Sequence, residues 1–197
     1  MEISGEIRQA AIFCENLVLR RRLTTQLGSN QIRIEDTVTN EGFEPASHML
    51  LYHFNLGFPL LGEHTRLRVQ SEKTVARDAD AQIGLADWDR FQAPTPGYRE
   101  QVFIHRPVAD ENGLTSVELL NSQMGFGLRW VYKTAELPFL MEWKMMGEGT
   151  YVVGVEPANC DGLGGRAATR AMGALPQLNP GETRSYNIQV EVISENK

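Results

Sequence analysis

The stretch MLLYHFNLGFPLL, Met49 to Leu61, is a long apolar run that carries one histidine and one asparagine two residues apart, His53 and Asn55. In an extended strand every second side chain lies on the same face, so these two polar groups share a face. They then stand about 7 Å apart along the strand, a span that suits two hydrogen bonds to one sugar ring. Gly57 and Pro59 end or bend the strand, which places both groups near a sheet edge or a pocket mouth.

Short alternating runs separated by turn residues make up most of the chain, and few long helical periods occur. Two of these runs, Leu17 to Leu27 and Gln31 to Thr39, predict a hairpin around Gly28-Ser29-Asn30. Further strands are predicted at Arg99–Arg106, Leu114–Leu120, Phe126–Lys133, Leu140–Met146, Thr150–Glu156 and Tyr186–Ile193. The pattern predicts an all-β fold, and 197 residues with 42% hydrophobic content suffice for a single domain spanning residues 1–197.

Charge and cysteine content narrow the functional classes. A formal net charge of −6 without blocks of Lys or Arg argues against nucleic acid and anionic membrane as partners, because both require a basic surface. Cys14 and Cys160 are too few for a disulfide framework and have no metal-ligand spacing. No signal peptide opens the chain and no apolar run approaches the ~20 residues needed to span a bilayer. We therefore expect a cytoplasmic protein without a metal.

A second polar group of interest is Glu156, which closes the apolar run that begins at Thr150. A carboxylate is costly to bury there unless it is paired or used, because desolvation disfavours its charged form. Gly154 lies two residues earlier on the same face and leaves open volume beside the carboxylate. A salt bridge to Arg166 or Arg170 is the alternative explanation, although Arg166 would equally serve to orient Glu156 or to bind a substrate hydroxyl.

Three more residues are candidates for substrate binding. Trp88 lies in a long loop, DWDRFQAPTPG from Asp87 to Gly97, where an aromatic ring is a common stacking platform for a sugar. The alternative is that Trp88 covers the end of the core. Gln101 and His105 share one face of the predicted strand Arg99–Arg106. Glu100 or Gln101 is a candidate hydroxyl acceptor and His105 a candidate second polar contact, although a histidine beside Phe103 is more often structural.

The His53 run, LYHFNLGFPLL, resembles the histidine-bearing strand of the galactose mutarotase (aldose 1-epimerase) superfamily, in which that histidine acts as the acid. The run GTYVVGVEPAN, Gly149 to Asn159, resembles the strand that presents the family's glutamate base. The resemblance implies a galactose mutarotase-like β-sandwich, or supersandwich, from an uncharacterised aldose 1-epimerase-like branch. It matches the later part of the family's fold, and the family's earlier arginine and further histidine have no counterpart before Glu15. The fold is therefore expected to be short at its N-terminus.

By this resemblance the chain is an aldose 1-epimerase-like isomerase of a free monosaccharide, with Glu156 as base, His53 as acid and Asn55 holding a hydroxyl. The base removes the proton of the anomeric hydroxyl while the acid protonates the ring oxygen, so no cofactor is required. A non-catalytic carbohydrate-binding β-sandwich with an incomplete catalytic shell is the alternative. An unpaired sandwich edge would also be a template for association, so a homo-oligomer is left open.

Overall fold

Two large antiparallel β-sheets and one two-stranded sheet make up the β structure of the computed structural model, which describes residues 1–194. In chain order the elements are β1 (Glu2–Ala10), β2 (Asn16–Thr24), β3 (Gln31–Asn40), β4 (Ala46–Ser47), β5 (Phe54–Gly57), β6 (Thr65–Val69), β7 (Ser71–Ala76), α1 (Ala79–Gly84), a 3-10 turn (Leu85–Asp87), β8 (Gln101–Pro107), β9 (Leu114–Asn121), β10 (Phe126–Lys133), β11 (Phe139–Gly147), β12 (Thr150–Ala158), α2 (Gly165–Ala171), β13 (Gln177–Leu178) and β14 (Thr183–Ser194). Strands hold 53% of the residues and helices 8%, which confirms the prediction of an all-β fold.

The larger sheet has seven strands in the order β1-β2-β3-β14-β10-β9-β6, and the smaller has five in the order β5-β12-β11-β8-β7. β2 and β3 form the predicted hairpin, with Leu23 opposite Ile34. The six further strands predicted from alternation are confirmed as β8, β9, β10, β11, β12 and β14, with ends that differ by a few residues.

Three parts of the chain differ from the sequence predictions. The Met49–Leu61 run is regular only over β5, so His53 lies in extended chain just before a strand that ends at Gly57 as predicted. The polar stretch Glu63–Asp87, for which no strand or helix was predicted, contributes β6, β7 and α1. β1 was not predicted, because its sequence EISGEIRQA does not alternate apolar and polar residues at every second position. All nine of its residues are exposed.

The space between the two sheets holds the main core. Its largest fully buried side chains come from both large sheets and from the connections between them: Trp130, Tyr132, Tyr186, Leu61, Leu67, Leu119, Leu137, Leu140, Met146 and Leu178. A smaller apolar cluster of Val102, Met141 and Ala158 lies on the other face of the five-stranded sheet. Both faces of that sheet therefore carry apolar side chains, and any polar group on either face stands out.

The register of β5, β12 and β11 brings specific residues side by side on that outer face. Asn55 lies opposite Gly154, and Gly154 lies opposite Trp143 on its other side. Glu156 lies opposite Met141. Because side chains alternate along each strand, the intervening residues of β11 and β12 face the core instead.

Candidate functional site

His53 and Glu156 meet at one edge of the five-stranded sheet. The Nε2 atom of His53 lies 2.9 Å from Oε1 of Glu156, where 45% of the histidine side chain and 6% of the glutamate side chain are exposed. The approach is at ion-pair distance but is not a well-directed hydrogen bond, since Oε1 has no hydrogen-bond partner among residues 1–194. A sheltered carboxylate oxygen is thus left available beside an imidazole that solvent can reach.

Gly154 explains how the carboxylate of Glu156 fits on a crowded sheet face. A Cβ atom added at Gly154 would overlap Oε1 of Glu156 and would lie 3.1 Å from its Cδ atom. The glutamate side chain therefore folds back over the bare backbone of residue 154. The volume that the sequence predicted beside Glu156 is filled by the glutamate's own carboxylate group.

Burial sets the acidity of this carboxyl. Desolvation raises the pKa of Glu156 from 4.5 to about 7. Neither Arg166 nor Arg170 pairs with Glu156 within the described part of the chain, so the salt bridge considered from the sequence is not found. A carboxyl that titrates near neutral pH is suited to accept and return a proton.

Asn55 and Trp143 flank the pair. Asn55 is exposed and lies across Gly154 from Trp143. The indole ring of Trp143 meets the imidazole of His53 edge to face, with ring centroids 5.8 Å apart at 67°. His53, Asn55, Glu156 and Trp143 therefore surround one position on the sheet, with Gly154 between them.

A short polar chain holds the indole of Trp143 in place. Its Nε1–H donates to Oε2 of Glu100 at 2.9 Å, and Nη2 of Arg77 donates to Oε1 of the same carboxylate at 2.8 Å. Both bonds lower the pKa of Glu100, that from Arg77 more than that from Trp143. The place of Trp143 beside the site was not predicted, because its pairing with Gly154 requires a strand register that the sequence does not contain.

His105 and Gln101 are not brought to this site, because they lie on the core face of β8. His105 is fully buried, with Nε2 at 3.3 Å from Oε2 of Glu142 and Nδ1 at 3.0 Å from Oγ1 of Thr74. Gln101 accepts a hydrogen bond from the hydroxyl of Tyr98 at 3.0 Å. The sheet itself separates both residues from Glu156.

Trp88 also points inward. Its ring packs edge to face on His105, with centroids 4.7 Å apart, and it belongs to the border of the main core. Nζ of Lys144 holds the loop from beneath by donating to the carbonyl oxygens of Asp87, Trp88 and Arg90, at 3.1, 3.1 and 2.6 Å. This placement matches the alternative in which the tryptophan covers the end of the core.

Arg166 lies elsewhere, on the exposed side of α2. It lines a cleft of about 700 Å³ together with Cys14, Glu15 and Phe43, and both cysteines of the chain are free. Among residues 1–194, no three His, Cys, Asp or Glu side chains are grouped to hold a metal ion. No helix in that range is long and apolar enough to cross a membrane.

Comparison with known proteins places this geometry in context. The family model described as Domain of unknown function (DUF4432) matches residues 1–192. No match is found among curated proteins. A solved structure provisionally named an aldose 1-epimerase, from Klebsiella pneumoniae subsp. pneumoniae MGH 78578, superposes with a TM-score of 0.94 at 27% identity, over 98% of this chain and 51% of that one.

Two more distant structures share the fold. A galactose mutarotase-like protein from Clostridium acetobutylicum gives a TM-score of 0.68 at 14% identity, over 98% of this chain and 62% of that one. A galactose mutarotase related enzyme from Lactobacillus acidophilus gives 0.65 at 12% identity, over 100% and 69%. The predicted galactose mutarotase-like β-sandwich is confirmed, in a chain that spans about half the length of the Klebsiella protein.

Proposed function

We propose that this chain, which belongs to the family described as Domain of unknown function (DUF4432) and has a galactose mutarotase-like fold, is an aldose 1-epimerase-like isomerase of a free monosaccharide. The observation that carries the proposal is the contact of His53 with Glu156, whose pKa burial raises to about 7. A base and an acid side by side on a sheet face are the two groups that anomer exchange requires.

In the proposed reaction Glu156 removes the proton of the anomeric hydroxyl as His53 donates a proton to the ring oxygen. The bond between C1 and the ring oxygen breaks, and the electron pair of the hydroxyl forms the aldehyde. After rotation about the C1–C2 bond the ring oxygen attacks the other face of the carbonyl. Glu156 then returns its proton to O1 and His53 recovers its own, so both groups end as they began.

The substrate must separate the two groups that now touch. His53 is the member able to move, because nearly half of its side chain is exposed, whereas Glu156 is held over Gly154. Its outward rotation would open a gap lined by the carboxylate, by the amide of Asn55 and by the indole of Trp143. The indole is a flat apolar surface for the sugar ring, and the amide is a partner for a hydroxyl.

A second candidate function is that of a carbohydrate-binding β-sandwich, which would bind the same sugars without converting them. The observation that favours it is coverage, because the chain spans about half the length of the Klebsiella protein. A pocket completed by residues that lie outside this chain would bind sugar here and react slowly. The cytoplasmic location that we expect from the sequence is compatible with both candidate functions.

Saturation-transfer NMR of anomeric exchange, run over neutral, deoxy, phosphorylated and acidic aldoses at neutral pH, tests the proposal. Exchange above the buffer rate is expected for one class, with a loss of about 10²- to 10⁴-fold in Glu156→Gln and in His53→Gln. His64→Gln is the matched control, since that histidine is exposed and lies outside the site. Unchanged rates in both site variants would remove the catalytic assignment. Line broadening without exchange would support the binding candidate.

A further inference from the structure

One long edge of the seven-stranded sheet has no neighbouring strand among residues 1–194. β1 is the outermost strand and pairs with β2 over all nine of its residues without a bulge. Every residue of β1 is exposed. Natural proteins usually shorten, twist, charge or cover such an edge, because a row of unpaired N–H and C=O groups is a template for another strand.

Hydrogen bonds at the two ends of β1 identify the backbone groups that face outward. The N-terminal amine of Met1 donates to the carbonyl of Thr25 at 2.8 Å, and Thr25 N–H donates back at 3.0 Å. At the other end, Ala11 N–H donates to the carbonyl of Glu15 at 3.2 Å. Because bonded positions alternate in an antiparallel pair, odd-numbered residues of β1 bond to β2. Even-numbered residues therefore present their N–H and C=O groups to the free edge.

The side chains next to this edge are partly apolar. Ile3 is 57% exposed and Ile7 is 65% exposed. They lie opposite Leu23 and Leu19 of β2 on the same face of the sheet. Both isoleucines leave apolar surface exposed to water beside this edge, and a neighbouring strand would bury that surface.

We propose that β1 pairs antiparallel with β1 of a second copy of this chain, about a two-fold axis through Gly5. In this register Glu2 lies opposite Arg8 of the second copy, and Ile3 lies opposite its Ile7. The even-numbered residues meet as hydrogen-bonded pairs, which the outward N–H and C=O groups require. Two isoleucine pairs then form across the axis, each a favourable cross-strand contact. Glu2, which contacts Arg22 at 3.6 Å within the chain, and Arg8, which contacts Glu41 at 2.8 Å, each gain a further neighbour of opposite charge.

Neighbouring registers that keep the same hydrogen-bond phase are less favourable. Moving the axis to Glu6 places the two Glu6 carboxylates opposite each other. Moving it to Ser4 places Glu2 opposite Glu6. Like charges directly opposite are destabilising, so both shifts are disfavoured. An axis at Ile7 restores a Glu6–Arg8 pair but leaves the first residues of the strand without a partner.

Disulfide trapping locates the axis. In a Cys14→Ser background, single cysteines are introduced at Ser4, Gly5, Glu6 and Ile7. Two residues on the axis in a non-hydrogen-bonded pair have Cα atoms about 4.5 Å apart, within the range that a disulfide spans. Mild oxidation should therefore convert Gly5→Cys to a covalent dimer. Gln9→Cys is the matched control on the same face, because its two copies would lie roughly 27 Å apart.

Sedimentation of the full chain supplies the independent measurement. We expect the mass of two chains for the wild type and of one chain for Ile7→Lys, since a lysine on an edge strand opposes pairing. Ile83→Lys, which changes an isoleucine 82% exposed on α1, should remain dimeric. A wild type that sediments as one chain overturns the proposal. Trapping that is strongest at Ser4, Glu6 or Ile7, or equal at Gln9, overturns it as well.

Discussion

Two histidine–glutamate pairs lie on opposite faces of the same five-stranded sheet. His53 and Glu156 meet at 2.9 Å on the outer face, where the histidine side chain is 45% exposed. His105 and Glu142 meet at 3.3 Å on the core face, where both side chains are fully buried. The residue types are the same, and the side of the sheet decides what each pair can do.

The buried pair, His105 and Glu142, is enclosed by the core and has no contact with solvent. Burial raises the pKa of Glu142, while the hydrogen bond and the charge of His105 act in the opposite direction. The amine of Lys144 is held close by, with its pKa lowered by burial. Oε1 of Glu142 has no hydrogen-bond partner among residues 1–194. Solvent therefore reaches the histidine of the exposed pair but neither member of the buried pair.

Removing one partner of the buried pair should produce the largest effect on folding. His105→Leu leaves Glu142 without its hydrogen-bond partner in the core, and we expect a loss of about 3–5 kcal/mol in the free energy of unfolding. His53→Leu, at the half-exposed pair, should cost about 1 kcal/mol or less. Urea unfolding of both variants measures the difference.

The contrast is sharpened by measuring exchange per folded molecule in the same two variants. His105→Leu should keep the exchange rate of the wild type at a temperature where it stays folded, while His53→Leu should lose it. Equal stability losses in the two variants, or a loss of exchange in the folded His105→Leu protein, would contradict the division between a structural and a chemical pair.

The second-largest effect on stability is expected in Glu156→Gln, which should change how the free energy of unfolding depends on pH. The pKa of Glu156 is about 7 in the folded protein and 4.5 ordinarily, so the folded state binds the extra proton between those values. This contribution to stability is present at low pH and is lost as pH rises from about 4.5 through 7. The variant lacks that loss and should exceed the wild type by on the order of 3 kcal/mol at pH 8.

Urea midpoints at pH 4 and at pH 8 provide the test, because the two proteins should converge at the lower pH. The slope that remains in the variant reports the other titrating groups, Glu142 included. A wild type and a variant with parallel pH profiles would show that Glu156 is not desolvated to the extent that its burial implies.

The smallest effect concerns the two tryptophans that lie on either side of the sheet. Trp143→Phe keeps an aromatic surface but loses the hydrogen bond to Glu100, and we expect sugar affinity to fall by about 3- to 10-fold. Trp88→Phe should leave affinity unchanged, because that ring packs inward on His105. Titration with the sugar identified by exchange compares them, and a stronger effect at Trp88 would reverse the assignment of faces.

Alternation along a strand was enough to predict which residues share a face. It correctly grouped Gly154 with Glu156, and it also correctly grouped Gln101 with His105. It carried no information on which face of the sheet meets the core. That choice depends on the register between β8, β11 and β12, and the residues that pair β8 with β11 are 35 to 43 positions apart in the sequence. The candidate site was therefore predicted in part, with His105 and Gln101 assigned to a side where they do not lie.

Contacts between residues far apart in the sequence were the second feature that strand alternation did not predict. The contact of His53 with Glu156 joins two runs more than a hundred residues apart, and only the family resemblance linked them before the structure did. The position of Trp143 beside His53 was not predicted either, because it depends on the pairing of Trp143 with Gly154 across the strands. Exposed β1 gave no burial signal at all.

β11 supplies both sides of the sheet at once, with Met141 and Trp143 outside and Glu142 and Lys144 inside. Alternate residues of β11 therefore serve opposite faces of the sheet. A single-residue insertion or deletion in this strand would move every side chain beyond it to the opposite face. Substitutions change one face of β11 at a time, but natural or laboratory variants that change the length of β11 should be absent from functional populations.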